Sequence, residues 1–224
     1  MNHAFFCLIL NSSRLIPNPR QPFTANLHLS FYNQPALPVL MDTATLIKEA
    51  RHGSAAAQKC LFEQLADKML LVCRRYVRNR EDAEEIMLDG FYKFFKALPV
   101  FSYQGEAALQ AWLKKIMVNQ CLMFLRRKKV FDIVTDTVLE DIPLEEAALN
   151  NLSAAEIFDM IIQLPVGYRT VFNLYVVEGM AHPEIAQLTG IAEGTSKSQL
   201  SKARTLLQKM LLQKGIDYGR QKTK

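Results

Sequence analysis

Apolar side chains recur every three or four residues through most of the chain from residue 42 onwards, and this spacing places them on one face of an α-helix. In the longest run that face carries Leu61, Leu65, Met69, Val72 and Tyr76. Half of the 224 residues are apolar, which is enough to form a core, and the length allows one medium domain or two small ones. We therefore predict an all-α protein with two small helical domains, at residues 42–129 and 151–214.

The first domain is predicted to contain four helices, at about residues 43–51, 54–78, 81–98 and 107–129. Ser54 is a suitable N-cap for the second helix, because its hydroxyl can accept a hydrogen bond from the first turn. Acidic residues crowd the first turn of the third helix, as the helix dipole favours, and Pro99 ends it. The fourth helix is expected to face the core with Leu109, Leu113, Ile116 and Phe124.

The second domain is predicted to carry a helix-turn-helix. Ser153 can cap a helix that ends at about residue 164, and Pro165 begins another that ends at about 178. A short helix at 182–188, a glycine-containing turn at 189–191 and a long helix at 193–213 follow. This order of elements is typical of a DNA-binding unit.

Three segments lack a helical pattern. Residues 1–40 hold five of the nine prolines and no acidic residue, so we hypothesise that translation begins at Met41; the alternative is a disordered tail. Residues 130–150 hold six acidic residues and no basic one, and are predicted to be a flexible acidic linker. Residues 215–224 form a basic tail.

The net charge of +5 and the pI of about 9.0 favour a polyanionic partner, either nucleic acid or an anionic membrane. A membrane-anchored adaptor is poorly supported, because the apolar stretch at 4–10 is short and lacks the flanks of a signal peptide. We expect a cytoplasmic protein without stable membrane insertion. The cysteines and histidines are not at metal-ligand spacing, so no metal and no cofactor is expected.

The long helix of the helix-turn-helix predicts binding to duplex DNA. Between residues 194 and 214 it carries five basic residues and no acidic one, the composition of a helix that lies against phosphates. Near its start we expect seven side chains to face DNA: Thr195, Ser196, Lys197, Ser198, Gln199, Lys202 and Arg204. Of these, Gln199 or Lys197 can reach base edges. The alternative is a solvated helix hairpin with a basic face.

The segment at 101–129 predicts contact with single-stranded nucleic acid, because unstacked bases pack on aromatic rings and phosphates pair with cations. A loop with Phe101, Tyr103 and Gln104 precedes a helix that combines Trp112 with Lys114, Lys115, Arg126 and Arg127. Asn119 is seven residues from Trp112 and hence on the same face, where it can hydrogen-bond an extruded base. The alternative is that Phe101 and Trp112 belong to the core, and Trp112 can serve both purposes.

Three segments, in this order, resemble the extracytoplasmic-function sigma factors of the sigma-70 superfamily. REDAEEIMLDGFYKFFKAL (80–98) is similar to their polymerase-binding region 2, and FSYQGEAALQAWLKKIMVNQCLMFLRRKK (101–129) is similar to their promoter-melting segment. Residues 164–209, which begin LPVGYRTVFNLYVVEGMAHPEIAQ, resemble region 4, which binds the minus-35 element. The resemblance covers residues 42–212, and three segments in order are more specific than a helix-turn-helix alone.

The resemblance implies a role for each part. Contacts to the clamp helices of core RNA polymerase would come from Asp82, Glu85 and Asp89. The loop at 101–106 with Asn119 would capture an extruded base of the minus-10 element, and Trp112 would brace that helix. Phosphates would be held by Lys115, Arg126 and Arg127. The seven side chains of the long helix would contact the minus-35 element, and an anti-sigma factor is a further expected partner.

Two places depart from the family pattern. Members usually carry Gln-Glu where this chain has Leu88 and Asp89. Many carry Arg where this chain has Gln199 and Lys202. Because Gln prefers adenine and Arg prefers guanine, we expect a different minus-35 sequence.

The predicted function is therefore a non-catalytic sigma factor that helps RNA polymerase to begin transcription. About 25 linker residues span at most about 80 Å, which exceeds the roughly 50 Å between two elements about one and a half DNA turns apart. A stand-alone helix-turn-helix regulator is the alternative, although it leaves residues 42–129 without a role. A nucleic-acid enzyme is disfavoured, since the sequence shows no paired carboxylates, phosphate-binding glycine loop or nucleophile–base pair.

Overall fold

The computed structural model of the protein describes residues 42–128 and 153–213, which form eight α-helices and no strand. The first domain contains α1 (Thr43–Arg51), α2 (Ala55–Tyr76), α3 (Arg80–Ala97) and α4 (Glu106–Arg127), with a 3-10 turn at Leu98–Val100. The second contains α5 (Ala154–Gln163), α6 (Val166–Phe172), a π-helical segment (Asn173–Val177), α7 (His182–Thr189) and α8 (Glu193–Gln213). The predicted all-α fold with two helical domains is confirmed.

Several predictions concern residues outside the described ranges. These are the late start at Met41, the acidic linker at 130–150 and the basic tail at 215–224. The domain boundaries at 129 and 151 also stay predictions. Within the described ranges, no helix combines the length and the apolar character that a membrane span requires.

Side-chain caps fix where the helices begin. Ser54 Oγ accepts a backbone N–H of the first turn of α2 at 3.3 Å, and Ser153 and Glu156 form a reciprocal capping box at the start of α5. Both predicted serine caps are therefore confirmed. α3 begins at Arg80, one residue before the predicted start, because the Asn79 side chain accepts a first-turn N–H at 2.8 Å.

We expect the change Ser153→Ala to destabilise the second domain by about 1 kcal/mol. The alanine removes an oxygen that accepts the Glu156 N–H at 3.3 Å and a hydroxyl that donates to the Glu156 carboxylate at 2.8 Å. Urea unfolding followed by circular dichroism measures the loss. Ser153→Thr is the control, since threonine keeps a hydroxyl that can accept the Glu156 N–H and donate to the Glu156 carboxylate. An equal loss in that variant would show that the cap is not the cause.

The core of the first domain lies between α2, α3 and α4. The predicted apolar face of α2 is buried throughout. Gly90 allows α3 and α4 to approach closely, since a Cβ there would lie 2.3 Å from Met117 Sδ. On α4, Leu109 and Leu113 are buried as predicted, whereas the other two predicted core residues only reach the edge of the core: Ile116 and Phe124.

The second domain packs around one face of α8, which buries Leu200, Ala203, Leu207 and Leu211. The helix predicted at 165–178 begins after Pro165 and changes from α-helical to π-helical geometry at Asn173. Gly190, between α7 and α8, has φ of +78°, a left-handed conformation that glycine adopts without steric cost. α8 has the predicted bounds.

The two domains touch each other. The α2 helix packs against α5 and α6, and buried side chains of both domains form one continuous cluster. The sequence predicts two helical domains joined by a flexible acidic linker, and the direct contact between these domains is a feature that the sequence pattern did not indicate.

Candidate nucleic-acid interface

Ring stacking fixes the aromatic loop that precedes α4. The Phe101 and Trp112 rings are nearly parallel, with centroids 4.2 Å apart and an interplanar angle of 4°. Trp112 also lies 5.2 Å from the buried Phe94 ring, and the Arg51 guanidinium donates a hydrogen bond to the Phe101 carbonyl. Phe101 and Trp112 are both half-buried, so they belong to the edge of the core and also keep part of their surface accessible.

A polar row runs along α4 next to this stack. Three exposed side chains share the face of Trp112, at spacings of three, seven and fourteen residues from it: Lys115, Asn119 and Arg126. We call these three residues the α4 row. Arg127 is exposed beside it, and in the preceding loop Gln104 is exposed while Tyr103 is half-buried. Because α4 has no acidic residue after Glu106, the charge along the row is positive.

Lys114 does not join the α4 row, although the sequence groups it with the other basic residues. Its ammonium lies 2.7 Å from a carboxylate oxygen of Glu178 in the second domain, and its side chain is only 21% exposed. The cations that this side of α4 offers to a polyanion are therefore Lys115, Arg126 and Arg127.

An acidic face of α3 is open to solvent. Glu85 and Asp89 are exposed, whereas Asp82 is half-buried and its carboxylate lies 3.1 Å from the Lys128 ammonium. Two apolar side chains beside these acids are more than half exposed, Leu88 and Tyr92, and sequence reasoning gave neither of them a binding role. The signal that could have found them is an apolar pair four residues apart that lies outside the buried stripe of the helix.

The predicted DNA contacts on α8 differ in exposure. Three are exposed (Lys197, Ser198 and Arg204), and three are half-buried (Thr195, Gln199 and Lys202). The prediction for Ser196 is wrong, because this side chain is fully buried. Its Oγ lies 2.9 Å from His182 Nδ1, and the His182 ring stacks on Tyr175 at 4.6 Å. Ser196 therefore joins α7 to α8 and does not face a ligand.

Gln199 is half-buried and lies against α6, and its predicted contact with DNA stays a prediction. A Cβ at Gly167 would lie 3.1 Å from Gln199 Nε2, and Gln199 Oε1 is buried with no hydrogen-bond partner in the described part of the chain. Lys197 is exposed and pairs with Glu193 at 2.7 Å. The Lys197 hydrogen bond and charge lower the pKa of the Glu193 carboxyl.

The surface residues described on α3, α4 and α8 lie in segments that match known families. Residues 61–130 match Sigma-70 region 2, and residues 154–207 match Sigma-70, region 4. The chain belongs to the sigma-70 family. The first match covers α3 and α4 with the α4 row, and the second covers α5 to α7 and most of α8. A stand-alone helix-turn-helix regulator would have explained only the second match.

Relatives place the chain among the extracytoplasmic-function sigma factors. It is 29% identical over 171 residues to the ECF RNA polymerase sigma factor SigM of Mycobacterium tuberculosis. The matched residues cover 75% of this chain and 85% of that protein. It is 27% identical over 179 residues to the ECF RNA polymerase sigma-E factor of Haemophilus influenzae, covering 73% of this chain and 92% of that protein. This chain is thus a sigma factor, and its function is transcription initiation.

Two solved sigma-factor structures resemble the chain at low identity. CnrH, solved in complex with the cytosolic domain of CnrY, is 21% identical with a TM-score of 0.40, over 77% of this chain and 99% of that one. RpoE of Bartonella quintana, solved with the anti-sigma factor NepR, is 22% identical with a TM-score of 0.41, and the match covers 72% of this chain and 98% of that one.

Proposed function

We propose that this sigma factor is a non-catalytic subunit that docks on core RNA polymerase, reads a minus-35 and a minus-10 element, and helps to melt the duplex at the second. The observation that carries the proposal is the α4 row, which sets basic and amide side chains beside an aromatic stack on a helix without acids after Glu106. Both partners, polymerase and chromosomal DNA, imply a cytoplasmic location.

At the minus-10 element, each group meets one part of an unpaired strand. Lys115, Arg126 and Arg127 are exposed and pair with phosphates. Asn119 offers both a donor and an acceptor to the edge of an extruded base. The accessible edges of the Phe101–Trp112 stack, with Tyr103 and Gln104 in the loop, receive the base itself.

At the minus-35 element, the exposed residues of α8 make the first contacts. Lys197 gives up only an exposed ion pair with Glu193, which contributes little in water, so a phosphate or a base edge can replace the carboxylate. Ser198 and Arg204 are exposed beside it, with Thr195 and Lys202 at the margin of the contact. Gln199 reaches a base only after its side chain turns away from α6.

Core polymerase is proposed to bind the open face of α3. Glu85 and Asp89, with Asp82 at the edge, supply negative charge, and the exposed Leu88 and Tyr92 supply apolar area at its centre. An anti-sigma factor is a further proposed partner, as the family resemblance implies. We propose domain limits of 42–129 and 151–214, joined by a flexible acidic linker.

Transcription from genomic DNA tests the proposal without knowledge of the promoter. The full chain is added to core polymerase and fragmented DNA of the source organism, and RNA 5′ ends are sequenced. We expect a small set of new starts that require the chain and share two upstream elements. A protein that binds duplex DNA tightly by itself and produces no polymerase-dependent start would instead be a stand-alone regulator.

A further inference from the structure

A glutamine of α8 rests on a glycine of α6. Gln199 is half-buried, and a Cβ added at Gly167 would lie 3.1 Å from Gln199 Nε2 and 3.4 Å from both Gln199 Cδ and Gln199 Oε1. These distances are shorter than the roughly 3.5–4.0 Å at which carbon atoms pack best. The Gln199 amide thus occupies space that is open because residue 167 has no side chain. We call this surface of α6 at Gly167 the resting site of Gln199.

The backbone does not require a glycine at the resting site. Gly167 lies within α6, and its φ is not in the left-handed region, unlike that of Gly190. Alanine is a better helix former than glycine, so helix formation alone would favour a side chain at this position. What glycine provides here, and alanine would not, is space for the amide of Gln199.

The resting site holds the Gln199 amide without satisfying it. Gln199 Oε1 is buried and has no hydrogen-bond partner in the described part of the chain. A buried acceptor without a partner is unfavourable, and it regains a hydrogen bond when it reaches water or a donor on DNA. Glutamine has several rotatable side-chain bonds, so the amide can turn outward while the α8 backbone stays in place. Packing on α6 and the missing hydrogen bond therefore oppose each other, and neither position is strongly favoured.

The outward position lies on the surface that is proposed to contact the minus-35 element. Lys197 and Ser198 are exposed immediately before Gln199, and Lys202 follows one turn later on the same side of α8. An outward glutamine amide can form two hydrogen bonds with adenine, whereas another base leaves one of its groups unpaired. A glutamine that rests on α6 neither gains from adenine nor loses against another base.

We propose that Gly167 sets how strictly one base pair of the minus-35 element is read, because it gives Gln199 a place to withdraw when that base pair offers no adenine. The inference rests on the proposed function, in which α8 reads this element. Gly167 acts through Gln199 and is a positioning residue. A side chain at residue 167 removes the resting site and keeps Gln199 outward. The preference for adenine then becomes stronger, since the withdrawn state no longer accommodates the other bases.

The resting site is tested by NMR on the free, full-length protein with isotope-labelled glutamine amides. The Gln199 signal is identified by its loss in Gln199→Ala. We expect nuclear Overhauser effects between the Gln199 amide protons and the Gly167 α-protons, and a shift of the amide signal toward that of a solvated glutamine in Gly167→Ala. Gly167→Met, whose longer flexible side chain covers more of the same surface, should shift it further. Gln64, an exposed glutamine of α2, is the internal reference and should not change.

Reading of the element is tested with the holoenzyme formed from the full chain and core polymerase. A promoter identified from genomic starts is randomised in its minus-35 element, and the bound templates are sequenced. In Gly167→Ala and Gly167→Met we expect the preference for adenine at one base pair to rise about threefold or more, with the other positions unchanged. Gln199→Ala should abolish this preference. Adding Gly167→Met to Gln199→Ala should then change nothing further, which separates an effect through Gln199 from a general effect on α6.

Each outcome bears on a different step of the proposal. A solvated Gln199 amide in the unaltered protein would overturn the resting site. Unchanged selectivity in both glycine variants, with circular dichroism showing that they are folded, would overturn the role of Gly167. A change in selectivity that persists in the absence of Gln199 would overturn it as well. A holoenzyme that produces no promoter-dependent start would refute the proposed function, while NMR still decides the resting site.

Discussion

Reversing the charge of the α4 row, with Lys115→Glu and Arg126→Glu in one protein, is expected to reduce promoter-dependent transcription by about 100-fold or more. Each substitution removes a charge-assisted contact to phosphate worth about 1.5–3 kcal/mol and adds repulsion. Both side chains are exposed and have no role in the core, so the fold should be retained. The measurement is run-off transcription with core polymerase on a template identified from genomic starts.

The matched control reverses two exposed lysines elsewhere in the first domain, Lys48→Glu and Lys68→Glu, with the same change in net charge. Transcription should then fall by much less, because long-range attraction changes but no phosphate contact is lost. A neutral version, Lys115→Gln with Arg126→Gln, should lower the slope of log affinity against log salt by about 2. Equal losses in the α4 and control variants would mean that only net charge matters and would remove the α4 row from the interface.

Local signals in the sequence were sufficient to predict the helices. Caps act within one turn, so Ser54 and Ser153 mark helix starts without knowledge of the rest of the fold. Local signals also predicted both ends of α8, because its predicted bounds of 193 and 213 agree with the structure. The α4 helix shows where local patterns stop being sufficient. Apolar residues lie on most of its faces, so the sequence could not indicate that Met117, and not Ile116, faces the core fully.

The exposure of the candidate residues was predicted correctly where they lie on a single helix and less well where two helices meet, and their binding roles stay predictions. Lys115 and Asn119 needed only the α-helical period to be placed. Ser196 follows the same period, but its burial depends on His182 of α7, which the spacing within α8 cannot show. The partial burial of Gln199 likewise depends on a residue of another helix, Gly167 of α6, which the spacing within α8 cannot show.

The contact between the domains lay beyond any local pattern. Asn173 and Arg169 are polar residues in a largely apolar helix, and a sequence alone gives no reason to assign their partners 93 to 98 positions away. Glu178 resembles an ordinary acid near a helix end. Only the packing of α2 against α5 and α6 shows that these side chains bind the end of another domain's helix.

The largest loss of stability is expected for Phe94→Ala. The side chain is fully buried, and its ring lies 5.0 Å from that of Phe95 and 5.2 Å from that of Trp112. Removing a buried phenylalanine leaves a cavity and destabilises by about 3–5 kcal/mol, a large part of the 5–15 kcal/mol typical of a domain. Trp112 is the only tryptophan, so its fluorescence in urea reports on the first domain. Tyr92→Ala, an exposed aromatic on the same helix, should change the free energy of unfolding by no more than about 0.5 kcal/mol.

Phe94→Ala should also weaken the minus-10 interface before the domain unfolds. Trp112 is held between Phe94 on the core side and Phe101 on the outer side, at 5.2 and 4.2 Å. With the inner ring gone, Trp112 gains rotamer freedom, and ordering it again on DNA costs free energy at each binding event. Promoter melting, followed by permanganate reactivity of unpaired thymines, should therefore decline at temperatures where circular dichroism shows a folded variant. Full melting activity in a folded but destabilised protein would show that core packing does not position the aromatic stack.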